Sequence, residues 1–175
     1  FVMSGNSVWI DATRLASGTS LWGMTLVERQ IRQFSLLGMK NFRVFFTEET
    51  RQKSCKIRDD FYRVYSSQIE WTALKTSKQF WSSLLETEDP VILVAGDVVY
   101  DDRVFNYLID EGPGSVVSSQ MYSACHLSAK HSEQFVSSGI SSWEKVNKKL
   151  PIGIVSVPPE RLNRYIPSLR LTMSA

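Results

Sequence analysis

Residues 7–47 read in order as a strand, a capped helix and a second strand, and that order leaves few folds open. SVWIDA (7–12) has the make-up of a short strand, and a loop containing Gly18 and Gly23 follows. Thr25 and Glu28 then form a T-x-x-E capping box, Val27, Ile31, Phe34 and Leu37 recur at helical spacing, and Gly38 stands where a left-handed C-cap belongs. NFRVFFT (41–47) is aromatic and β-branched, which predicts a strand. Two strands joined through a helix pair in parallel by a right-handed crossover.

The rest of the chain extends that pattern. Phe61, Tyr62, Val64 and Tyr65 suggest one helix face within the charged stretch 50–66, QIEWTAL (68–74) reads as a strand, and Phe80, Trp81, Leu84 and Leu85 predict a helix over 77–87. VILVA (91–95) is apolar throughout, as expected of a central parallel strand covered on both faces. Asp101 or Asp102 caps the next helix, which carries Val104, Phe105, Leu108 and Ile109 and stops at Gly112-Pro113-Gly114. SVVSSQ (115–120) and ACHLSA (124–129) predict two strands close enough to pair antiparallel. A short helix (HSEQFVSS), a Lys-bearing segment from Trp143 to Leu150, a strand over 152–157 and a helix opened by Pro158-Pro159 over 159–166 complete the order. With 175 residues, 43% of them hydrophobic and 22% charged, the chain can bury one core, so we expect a single α/β domain over 1–175. It has three layers and a mainly parallel sheet with some antiparallel strands.

Several function classes are disfavoured. A net charge of +2 gives no basis for nucleic-acid binding. Cys55 and Cys125 are isolated, which points to free thiols, and His126 and His131 lack companions at zinc-ligand spacing. No G-x-S-x-G elbow accompanies Ser17, Ser20 and His126, so a serine hydrolase is not supported. The five tryptophans and nine phenylalanines fall at core spacing, and Lys145, Lys148 and Lys149 read as a solvated face or a contact to lipid phosphate. No apolar run reaches the roughly 18 residues that span a bilayer, and no signal-peptide layout is seen, so a cytoplasmic chain is expected.

Asp97 follows the VILVA strand directly. A carboxylate there either caps the local turn or helps hold a divalent cation against nucleotide phosphates, since ligands bind beyond the carboxyl ends of strands in open α/β sheets. GMTLVERQIRQFSLLGMKNFRVFF together with VILVAGDVVYDDRVFNYL resembles the glycosyltransferase-A-like, Rossmann-like nucleotidyltransferases of the cytidylyltransferase type. Gly23, Leu26, Val27, Arg29 and Ile31 match that family's "G-x-P-L-I-x-R-x-I", with Thr25 replacing proline, and Asp97 matches its metal-holding Asp. PPERLNRYIPSLR is similar to the end of such domains where they precede the membrane part of CDP-alcohol phosphotransferases.

The resemblance implies Mg²⁺ at Asp97 and a nucleotide such as CTP near Arg14, Ser17, Gly18, Thr19 and Arg29. In an active member, the acceptor phosphate attacks the α-phosphorus in line and releases pyrophosphate. This sequence departs from that pattern at the loop that neutralises the triphosphate. DATRLASGTSLWG has one glycine where two are expected in L-A-x-G-x-G-x-R, and it lacks both the following arginine and a Pro-Lys pair. Val155 and Val157 stand where acidic residues are expected. Two expectations follow. One is a degenerate accessory domain, tethered to a membrane-embedded transferase domain in phospholipid synthesis and able to form a homodimer. The other is a working enzyme making a CDP-alcohol from CTP and an alcohol phosphate such as inositol 1-phosphate.

Overall fold

The computed structural model describes residues 6–119, 122–146 and 148–165, apart from the side chains of 163–165. The strands are β1 (Ser7–Asp11), β2 (Ser20–Leu21), β3 (Met24–Thr25), β4 (Asn41–Thr47), β5 (Gln68–Leu74), β6 (Val91–Ala95), β7 (Ser115–Ser118), β8 (Ser123–Leu127) and β9 (Val155–Val157). The helices are α1 (Leu26–Leu36), α2 (Arg51–Ser54), α3 (Phe61–Val64), α4 (Lys78–Ser82), α5 (Asp102–Glu111), α6 (Ala129–Ser137) and α7 (Trp143–Val146). Turns of 3₁₀ helix occupy Leu15–Gly18, Ser83–Glu86 and Pro159–Tyr165.

Seven strands form one sheet in the order β5-β4-β1-β6-β8-β7-β9. Every neighbouring pair is parallel except β6–β8 and β7–β8, so β8 alone runs against the rest. The pleat sends alternate residues to opposite faces. Val8, Ile10, Ile92 and Val94 meet α1 and α5 on one side, where Phe34 and Phe105 stack with ring centroids 3.9 Å apart. Trp9, Val91, Leu93 and Ala95 meet Phe80, Leu84, Phe135 and Trp143 on the other. The VILVA strand is buried at every position, as its apolar run requires, and the three expected layers are present.

Helix α1 has the ends its sequence predicts. Thr25 accepts the Glu28 amide at 3.1 Å, Gly38 takes φ +88°, and the amides of Gly38 and Met39 close on Ser35 O and Phe34 O. These two bonds make a Schellman motif, and Met39 is buried in the same cluster as Phe34. The capping box is only half formed, because the Glu28 carboxylate turns away to Arg32 and to the Arg58 amide. Asp101, not Asp102, caps α5 by accepting the Arg103 amide.

Other expectations need correction. The loop after β1 that contains Gly18 and Gly23 holds a 3₁₀ turn and the small β2–β3 hairpin, the 50–66 stretch holds two four-residue helices, and the 77–87 helix tightens to 3₁₀ after Ser82. Ser128 and Ala129 belong to the cap and start of α6 rather than to β8. The strand expected over 152–157 shortens to β9, since Ile152 and Gly153 form a turn in which Ile152 is 99% exposed. The helix expected over 159–166 is 3₁₀ over Pro159–Tyr165, and Gln120, Asn147 and everything after Tyr165 lie outside the described residues. Trp9, Trp81 and Trp143 are core residues, but Trp22 is 83% exposed.

Candidate functional site

Beyond β1 the chain leaves for β4 on one side, and it returns to β6 on the other. The two adjacent carboxyl ends therefore open a crevice at a topological switch point. Asp11 ends β1, Gly96 and Asp97 follow β6, and the Gly96 amide donates to Asp11 O at 2.7 Å, locking the two ends together. The Tyr100 hydroxyl accepts the Ala95 amide and donates to Ser123 O, both at 2.9 Å, while Gln30 Nε2 donates to Ala95 O and Val98 O at 2.8 Å. These bonds fix the turn that carries Asp97.

At the mouth, Arg14 spans two carboxylates. Its Nη1 lies 3.5 Å from Asp97 Oδ2 and its Nη2 2.8 Å from Glu144 Oε1. Partial burial opposes the guanidinium charge, but Asp97 and Glu144 outweigh it and hold Arg14 above its ordinary value. The backbone amide of Glu144 holds that carboxyl below its usual range, with Arg14 adding to the effect against a modest burial cost. Asp97 Oδ1 is buried and has no hydrogen-bond partner among the described residues.

Beneath this bridge, Asp11 is buried and fully engaged. Its Oδ1 accepts from Thr13 N and Oγ1 at 3.1 and 2.6 Å, and its Oδ2 accepts from Trp143 Nε1 at 2.8 Å. Burial pushes the Asp11 carboxyl up, and those donors only moderate the shift.

The loop residues expected to face a nucleotide are mostly occupied with one another. The Ser17 and Thr19 amides donate to Arg14 O and Ala16 O within the 3₁₀ turn, and Thr19 O accepts the Leu26 amide. Ser17 is fully buried against Gly96, so close that a Cβ there would sit 3.1 Å from Ser17 Oγ. Gly18 packs on α2, where any Cβ would collide with that of Lys53. Arg29 is separate from Arg14 and Asp97: its guanidinium lies over the Trp22 ring at 5.3 Å, and among the described residues no carboxylate pairs with it. The structure thus brings Arg14 and Asp97 together and turns Ser17, Gly18, Thr19 and Arg29 to packing or other contacts.

These residues do not fit a resident divalent cation. Without a nucleotide's phosphates to complete its shell of about six oxygens, such an ion needs several protein oxygens to stay bound. Asp97 offers one free oxygen, Arg14 sets a positive charge beside the other, Asp11 is committed, and Val155 and Val157 supply none. Among the described residues no three His, Cys, Asp or Glu side chains gather. Asp11, Glu144 and Trp143 were not singled out in the sequence. Asp11 could have been found by the feature that marked Asp97, a carboxylate ending a strand, whereas nothing local links Glu144 to Arg14 across 130 positions.

No protein-family description and no curated protein matches the chain. Solved structures do match its fold. A nucleotidyl transferase from Methanothermobacter thermautotroptrophicus superposes with a TM-score of 0.62 at 12% identity, covering 98% of this chain and 97% of that one. The inositol-1-phosphate CTP transferase from T. maritima gives 0.62 at 12% identity, over 90% and 86%. Rv0371c from Mycobacterium tuberculosis H37Rv, solved with manganese, gives 0.57 at 11% identity, over 87% and 88%. At these identities the likeness is one of fold, and the chain has a nucleotidyltransferase-like α/β fold.

Proposed function

Proceeding from that fold, we propose that residues 1–175 form one degenerate nucleotidyltransferase-like domain, the cytoplasmic accessory part of a CDP-alcohol phosphotransferase-type membrane protein in phospholipid synthesis. The observation that carries this reading is the Glu144–Arg14–Asp97 bridge, which spends the basic residue of the β1 loop on two carboxylates. A triphosphate carries about four negative charges near neutral pH, and phosphoryl-type transfer relies on positioning and on neutralising them. With the Ser17 and Thr19 amides also committed, little is left to cradle such a ligand. The membrane context rests on the resemblance of the closing PPERLNRYIPSLR run, whose last residues lie outside the described ones. Among the described residues no helix is long and apolar enough to cross a membrane. The tether is checked by reading the coding sequence beyond Ala175 for six apolar spans.

One observation favours the alternative, a Mg-dependent cytidylyltransferase acting on CTP and an alcohol phosphate such as inositol 1-phosphate: the unpartnered Oδ1 of Asp97. Calorimetric titration of CTP, with and without Mg²⁺, on the purified chain and on Asp97→Ala separates the two. The degenerate domain gives no heat at millimolar CTP. Mg²⁺-dependent binding that disappears in Asp97→Ala would establish the enzyme reading instead.

A further inference from the structure

A second cavity lies away from the Asp97 crevice, between the β2–β3 hairpin and the segment joining α2 to α3. It measures about 320 Å³, at the small end of the range for small-ligand pockets. Ser20, Met24, Lys53, Lys56, Ile57 and Arg58 line it, and Glu28 lies at its buried end. We propose that this cavity binds a phosphate monoester group.

The charge balance carries the argument. Among the described residues Glu28 is the only acid in the lining, and its oxygens are already taken. Oε1 accepts two bonds from Arg32, at 2.9 and 2.7 Å, and Oε2 accepts the Arg58 amide at 3.2 Å. Arg32 is not part of the lining, so it offsets the Glu28 charge from outside the cavity. Arg58 is shared, with Nε 3.4 Å from Glu28 and 3.7 Å from Asp60. Lys53 and Lys56 are exposed, and among the described residues neither forms an ion pair. Two ammonium groups and a shared guanidinium around a concave site, with a hydroxyl from Ser20, suit a compact dianion. Met24 and Ile57 offer an apolar wall to the carbon skeleton bearing the phosphate.

The backbone builds this arrangement. The absence of a side chain at Gly18 lets α2 pack against the 3₁₀ turn and brings Lys53 to the cavity wall. At the hairpin tip beside it, Trp22 takes φ +50° and Gly23 φ +80°, a two-residue turn that strains a tryptophan. Its ring is 83% exposed, with Arg29 over one face. An aromatic side chain next to basic residues is the composition that settles at a membrane–water interface. The phosphate could therefore belong to a lipid headgroup or to a soluble ester.

The test uses the whole chain and three probes: inorganic phosphate, glycerol 3-phosphate, and vesicles of phosphatidylcholine with or without phosphatidic acid. Binding of any phosphate probe, weakened about tenfold or more in Lys53→Gln/Lys56→Gln, supports the site. Binding to phosphatidic acid vesicles that also falls in Trp22→Ser identifies the lipid source, whereas binding of glycerol 3-phosphate that is unchanged in Trp22→Ser identifies the soluble one. The proposal is overturned if no probe binds, if the double variant binds as well as the parent, or if Lys75→Gln/Lys78→Gln, which changes two exposed lysines outside the cavity lining, loses as much affinity. Because both lysines are exposed, the double variant should keep the parent's urea midpoint. Asp97→Ala leaves this binding intact, so its failure is distinct from failure of the nucleotide reading.

Discussion

Asp11 and Asp97 end neighbouring parallel strands, yet their surroundings give them different chemistry. Asp97 keeps one oxygen free and meets Arg14, whereas Asp11 is enclosed and accepts from Thr13 and Trp143. For Asp11 the desolvation cost exceeds the gain from its donors, so its folded-state pKa lies above the ordinary 3.8. A carboxyl raised in this way binds more protons folded than unfolded. Its contribution is therefore fully present below 3.8 and is lost as pH rises through the folded value. Asp11→Asn does not titrate, so parent stability should fall relative to this variant as pH rises from about 4 to 7. Urea midpoints across that range check the sign. Of this site the sequence disclosed Asp97 and Arg14 one by one; their contact, and the third member Glu144, depend on loops brought together from distant parts of the chain.

Among elements, α1 was the most legible because its signals agree at both ends. Thr25→Ala removes the acceptor for the Glu28 amide and should cost about 1 kcal/mol. Gly38→Ala forces a Cβ into the left-handed region and should cost about 1 kcal/mol. The sites lie at opposite ends of the helix, so the double variant should lose close to the sum, measured by urea unfolding. The 50–66 stretch was less legible. Its two helices have four residues each, too few for a periodic pattern, and Phe61 is placed by long-range packing, buried in the core cluster that holds Phe34 and with Arg32 over its ring. The 152–157 run misled for another reason: its alternation of apolar residues suits a strand, but only Val155–Val157 reach β7, and Ile152 remains in solvent.

Across the whole molecule, the sheet centre and its β9 edge differ in protection. β1 and β6 are paired on both sides and covered by both helix layers, while β9 is a three-residue edge strand that, among the described strands, pairs with β7 alone. Native-state hydrogen exchange should show the slowest amides in β1 and β6 and much faster exchange in β9. The sequence by itself determined the α/β class, the parallel βαβ start, the two-sided burial of VILVA and the ends of α1, because each rests on local periodicity, capping chemistry or side-chain shape. Only the tertiary structure decided the insertion of β8 between β6 and β7 and the closing of Arg14 between Asp97 and Glu144. The same holds for the cavity beside Gly18. These features come from the packing of segments far apart in the chain, where the space and charge around each residue are set by neighbours that no local pattern specifies.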